Sequence, residues 1–119
     1  MNIEDKVKDL SYMTGAINMM ARSDVLDLCY TEHCIARMKE RNITTLDILH
    51  VLKTGIIEEY QGKAKHEKLE DIYKYKITGV YLGDEKSKRE ISLIILVEVD
   101  SFKQPAIKIQ KIVTTMWRD

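Results

Sequence analysis

The chain has 119 residues, 45% of them hydrophobic, with 19 Lys/Arg balanced by 19 Asp/Glu to a formal net charge of 0. That length and apolar content suit one domain with a real core, and the charge balance argues against a protein that holds nucleic acid by bulk charge alone. No stretch approaches the roughly 20 apolar residues that cross a bilayer, and the start, Met1-Asn2-Ile3-Glu4-Asp5-Lys6, lacks the basic-then-apolar layout of a secretion signal, so a soluble, cytoplasmic protein without a membrane partner is expected.

Residues 1–22 place Ile3, Val7, Leu10, Met13, Ile17 and Met20 near helical spacing, with Glu4, Asp5, Lys6 and Asp9 on other faces. The pattern predicts one amphipathic helix, softened at Gly15. Its methionines suit core packing across the domain or contact with a second copy in a homodimer. Ser23-Asp24 then breaks the chain, and Val25–Tyr30 reads as a short strand or extended lead-in. Cys29 and Cys34 are too poorly placed for a bridge and read as reduced, buried thiols.

Thr31 is a good cap for a helix that Asn42 stops, and Thr44 or Thr45 caps a second helix that ends at Gly55. Strands follow over Ile56–Gln61, Asp71–Leu82, Ile91–Val99 and Ile107–Met116, separated by a polar loop at 62–68 and turns at 83–89 and 102–105. In the second strand Tyr73, Tyr75 and Ile77 alternate with Lys74, Lys76 and Thr78, giving an apolar face and a basic one. The third strand is apolar enough to be covered on both faces. This order predicts an α+β domain over 26–117, with helices packed on one face of a twisted antiparallel sheet of three to four strands.

Charge is uneven along the chain. Residues 1–60 carry 7 Lys/Arg against 10 Asp/Glu, and residues 61–119 carry 12 against 9. Any RNA partner should therefore meet the sheet half, unless the asymmetry is ordinary solvated surface.

The most informative run is Tyr30-Thr31-Glu32-His33-Cys34-Ile35-Ala36-Arg37-Met38-Lys39-Glu40-Arg41-Asn42-Ile43. Helical positions four apart differ by about 40° around the axis, so His33, Arg37 and Arg41 form one polar stripe. Thr31, His33, Arg37, Met38, Arg41 and Ile43 resemble the opening motif of the domain-of-unknown-function 4258 family, with Cys34 where the family usually has Ala. Gly55–Tyr60, Tyr75–Gly79 and Ile112–Met116 are similar to its later helix-Gly-strand, second-strand and closing-strand steps, so the likeness covers roughly residues 26–117. The resemblance implies the compact α+β fold of RelE-, ParE- and BrnT-like toxins, many of which cleave RNA, and with it a cognate antitoxin.

Metal-free RNA cleavage needs a base for the ribose 2′-hydroxyl, cations for the phosphorane-like charge and an acid for the leaving 5′-oxygen. An imidazole exchanges protons near neutral pH, which makes His33 the general acid/base candidate. Arg37 or Arg41 suits forked binding of the phosphate, and Lys76 completes the expected catalytic set. Lys74, Thr114 and Tyr75 are the expected substrate-binding residues, Tyr75 as a stacking surface like Tyr30, Tyr73 and Tyr81. Each has a plain structural alternative: His33 bonding backbone at the helix start, Arg41 paired with Glu40 or Asp47, Trp117 closing the core or meeting Arg118.

No paired zinc spacing links Cys29, His33, Cys34, His50 and His66, and no Gly-rich phosphate loop is present, so no metal or cofactor is expected. Cys34 and His33 project about 100° apart, which is poor aim for a thiol nucleophile. Two readings result: a toxin-type endoribonuclease neutralised by an antitoxin, and a non-catalytic phage or plasmid module that docks on a host protein.

Overall fold

Asp9 decides where the first helical segment breaks. Its backbone is extended (φ −82°, ψ 102°) and its side chain accepts the Tyr12 N–H at 3.1 Å, so the chain forms α1 (Ile3–Lys8) and α2 (Leu10–Ala21) instead of one helix softened at Gly15. A carboxylate favours a helix cap over a helix interior, and here that preference overrides the helical period of the apolar residues. The computed structural model describes residues 3–23, 28–63, 72–81, 89–99 and 107–118. The expected lead-in at 25–27, most of the polar loop at 62–68, and the turns at 83–88 and 102–105 lie outside the described residues.

The remaining helices obey their caps. In α3 (Glu32–Arg41) the Thr31 hydroxyl accepts the Cys34 N–H, and Asn42 ends the helix in the left-handed region (φ 56°, ψ 39°). In α4 (Thr45–Thr54) Thr44 and Asp47 form a reciprocal capping box. Four strands follow: β1 (Ile56–Lys63), β2 (Ile72–Val80), β3 (Glu90–Val99) and β4 (Ile107–Arg118). They make an open antiparallel sheet in the order β1-β2-β3-β4, which confirms the α+β class. The β2–β3 register is unbroken from Ile72↔Glu98 to Val80↔Glu90, whereas β1–β2 and β3–β4 each contain two irregularities.

One sheet face carries Tyr73, Tyr75, Ile77, Ile91, Leu93, Ile95 and Val97 into a core shared with Val7, Met13 and Ile17 of the first two helices and Ile48, Val51 and Leu52 of α4. The N-terminal segment is therefore built into the same core as the strands. The Tyr75 hydroxyl donates to the Val7 carbonyl at 2.7 Å inside that core, and α2 touches both outer strands. On the opposite face Ser92 and Ile94 are also buried, as expected for a central β3. The Thr78 and Ser92 hydroxyls satisfy each other there at 2.7 Å.

Helix side chains also occupy the β1 edge, where Thr14 accepts the Ile57 N–H at 2.9 Å and Asn18 donates to the Leu52 and Gly55 carbonyls at 2.8 and 3.2 Å. Two glycines let α4 sit this close to β2. A Cβ on Gly55 would overlap the Val51 carbonyl oxygen and lie 2.8 Å from that of Thr78, and a Cβ on Gly79 would lie 3.3 Å from the Gly55 Cα. Both glycines fall in the motifs singled out from the sequence. Because the obstructing atoms are backbone, Gly55→Ala is expected to cost about 3 kcal/mol, the upper end for overpacking. Gly15, with open space around it in α2, should instead gain about 0.5–1 kcal/mol as Gly15→Ala. Urea midpoints of the two variants check the opposite signs.

Candidate functional site around helix α3

Helix α3 is positioned by the strand edge it covers. Just before it, the Thr31 N–H donates to the Ile112 carbonyl at 3.1 Å and the Ile112 N–H donates to the Cys29 carbonyl at 2.8 Å, a parallel bridge between Tyr30 and β4. The Thr31 hydroxyl, besides capping the helix, donates to the Val113 carbonyl at 2.7 Å. Ten residues on, the Arg41 guanidinium donates to the Thr115 carbonyl, and the Trp117 indole N–H donates to the Arg41 carbonyl at 3.0 Å. The helix thus runs alongside β4, with acceptors of an otherwise open strand satisfied by its side chains.

These contacts fix the rotation of α3. Cys34 is wholly buried and Met38 packs against the core. Arg41 points at the strand edge, and at 100° per residue Arg37 and then His33 follow round the helix, away from the core. His33 is exposed, and among the described residues nothing bonds its ring. Arg37 pairs with Glu40 at 2.6 Å on the helix surface, both side chains solvent-accessible. Glu40 is therefore a partner of Arg37, while Arg41 takes backbone in place of Glu40 or Asp47.

The other predicted site residues sit elsewhere. Lys74, Lys76 and Thr114 belong to the sheet face opposite the helices: Lys76 pairs with Ile94 in the register, and Ile94 with Thr114. With neighbouring strands about 4.8 Å apart, Lys76 lies two strands, roughly 10 Å, from Thr114. Its ammonium is 3.9 Å from Glu58. Since α3 lies beyond β4, the Lys74/Lys76 pair is not gathered against the stripe.

Tyr75 offers no stacking surface, because it is wholly buried with its hydroxyl on Val7. Desolvation, reinforced by Tyr60 and Tyr73, pushes its pKa far up. The alternation in β2 places it on the apolar face; that face is covered by α4 and, at Tyr75, by Val7 of α1.

On its other side α3 borders an apolar groove of about 470 Å³, lined by Tyr30, Ile35, Met38, Asn42 and Ile43 among others. Burial pushes the Cys34 thiol up to about 11 and raises Tyr30 as well, so neither is a ready nucleophile or base at neutral pH. Among the described residues no group of three or more His, Cys, Asp or Glu side chains is arranged to hold a metal ion, and no helix is long and apolar enough to cross a membrane.

Sequence reasoning missed the aromatic cluster at the end of β4. The Arg89 guanidinium lies 3.8 Å from the Trp117 ring centroid, and Tyr81 meets that ring edge-on at 4.9 Å. The predicted neighbour, Arg118, is adjacent in sequence; Arg89 reaches Trp117 because β3 and β4 pair Ile91 with Trp117.

A family model described as Domain of unknown function (DUF4258) matches residues 30–117, from the Tyr30 bridge to Trp117. No curated protein and no solved structure matches the chain.

Two outcomes follow. Arg41→Ala removes a charge-assisted bond from a part-buried strand edge and should cost about 1.5–3 kcal/mol in urea unfolding, whereas His33→Ala, at an exposed position, should stay within about 0.5 kcal/mol. With a thiol pKa near 11, Cys34 is thiolate in roughly one molecule in a thousand at pH 8. Cys29 is exposed, against the expectation of a buried thiol, so iodoacetamide should label it in the native protein and Cys34 only after denaturation, as read by peptide mass spectrometry.

Proposed function

This chain belongs to the DUF4258 family, and from that premise we propose that it is a toxin-type endoribonuclease on a RelE-like scaffold, neutralised by an antitoxin. The observation that carries the reading is an exposed imidazole, His33, one helical turn from Arg37 on a helix anchored at both ends to β4. A rigid element holding an acid/base group beside a forked cation is what phosphodiester chemistry requires.

In this reading neutral His33 takes the 2′-hydroxyl proton as the 2′-oxygen attacks phosphorus. The P–O5′ bond breaks, and a proton returned from the imidazolium completes the leaving 5′-hydroxyl. The products are a 2′,3′-cyclic phosphate and a 5′-hydroxyl end. Arg37 holds the non-bridging oxygens and must first leave Glu40. An exposed ion pair is worth only about 0–1 kcal/mol, so a dianionic transition state competes for Arg37 successfully. Arg41 serves as a positioning residue, since its guanidinium already holds Thr115. Lys74, Lys76 and Thr114 would guide the strand over the sheet.

A second reading, a non-catalytic module that docks on a host protein, is favoured by one observation: Arg37, Arg41 and Lys76 each already face an acceptor within the protein. The two readings separate in one assay. In single-turnover cleavage of RNA by purified protein with chelator present, His33→Ala should lose about 10²- to 10⁴-fold in rate with affinity nearly intact, Arg37→Ala should lose both, and Glu40→Gln should tighten binding by releasing Arg37. Growth arrest on expression should likewise disappear with His33→Ala. If wild-type protein cuts no RNA, with or without ribosomes, yet binds a host protein through the Arg37/Arg41 face, the module replaces the nuclease.

A further inference from the structure

The Trp117 cluster lies against the C-terminal end of α3. Trp117 packs beneath the C-terminal end of α3 with its indole N–H held by the Arg41 carbonyl, so the plane of the ring is set by the same helix that presents Arg37. Arg37 is one turn back, roughly 6 Å along the axis. The ring is half-buried, Tyr81 buttresses it edge-on, and the guanidinium stacked over it belongs to an exposed residue, Arg89.

An indole with its polar atom satisfied, a T-shaped aromatic behind it and a planar cation at the solvent side form a flat π surface. Unpaired bases recognise such surfaces, because every base has a π face and guanidinium planes stack on it. The basic balance of residues 61–119, which contribute all three side chains, suits the phosphates that accompany a base.

We propose that Trp117, Arg89 and Tyr81 form a stacking subsite for an unpaired base of single-stranded RNA, one that orients the strand across Arg37 and His33. This rests on the ribonuclease reading for its orientation, but the subsite binds without any cleavage. A base enters by stacking on Arg89 or by displacing it from the indole, and duplex, whose bases are already stacked, is refused.

Trp117 is the sole tryptophan, so its fluorescence reports on this ring alone. The probe is an uncleavable 2′-O-methyl RNA decamer of mixed sequence, single-stranded or annealed to its complement. The single strand should quench the fluorescence of the wild-type protein and the duplex should not. By anisotropy of the labelled single strand, Trp117→Ala should weaken affinity roughly 5- to 150-fold and Trp117→Phe much less. Arg89→Ala, at an exposed position, should weaken it several-fold and Arg89→Glu further. Binding without quenching, or affinity unchanged by both Arg89 variants, would overturn the subsite and leave Trp117 as a core-closing residue. Cleavage by a wild-type protein that shows no quenching leaves the nuclease standing without this subsite; quenching without cleavage does the reverse.

Discussion

The bond pattern between the Cys29–Thr31 segment and the edge of β4 governs most of what is distinctive here. An edge strand presents unpaired N–H and C=O groups and must be covered or blunted. This chain covers it with two backbone bonds at Ile112, the Thr31 hydroxyl at Val113 and the Arg41 guanidinium at Thr115. Those attachments leave α3 no rotational freedom: Cys34 and Met38 face the core, and His33, Glu40 and Arg37 face out. The exposed chemistry of the helix is a by-product of how its inner face is fastened.

The same constraint separates two roles that the sequence presents as one. His33, Arg37 and Arg41 share a stripe by periodicity, yet Arg41 is drawn onto backbone while His33 remains in solvent. A stripe on a helical wheel predicts a common side, and it carries no information on which member meets a strand edge. Local chemistry was legible: Thr31, Asn42 and the Thr44/Asp47 box mark their helix ends, and alternation in β2 sorts Tyr73, Tyr75 and Ile77 from Lys74 and Lys76. Contacts distant in sequence were not, as with Arg41 on Thr115, Trp117 under Arg89, and Tyr75 on Val7, since each depends on register and layer order. The break at Asp9 is a different case: the capping signal is local, and in the folded chain it outranks the helical period of the flanking apolar residues.

Electrostatics reinforces this picture. Arg37 and Lys76 are each set against a carboxylate of the protein itself, Arg37 on Glu40 and Lys76 beside Glu58. An anionic partner at either of these two cations has to exchange contacts. Exposed pairs exchange readily. A part-buried bond such as that of Arg41 exchanges less readily.

The Thr31–Val113 contact spans 82 positions of the chain. Adjacent strands in the meander close short loops, but this fastening must close a very long one, at an entropic cost of about 4 kcal/mol by ideal-chain scaling. Strand pairs that are neighbours along the backbone carry no such charge and have the kinetic advantage. By this scaling the α3–β4 seam is expected to close after the strand pairs have formed, and the segment matched by the family, residues 30–117, begins and ends on its two sides.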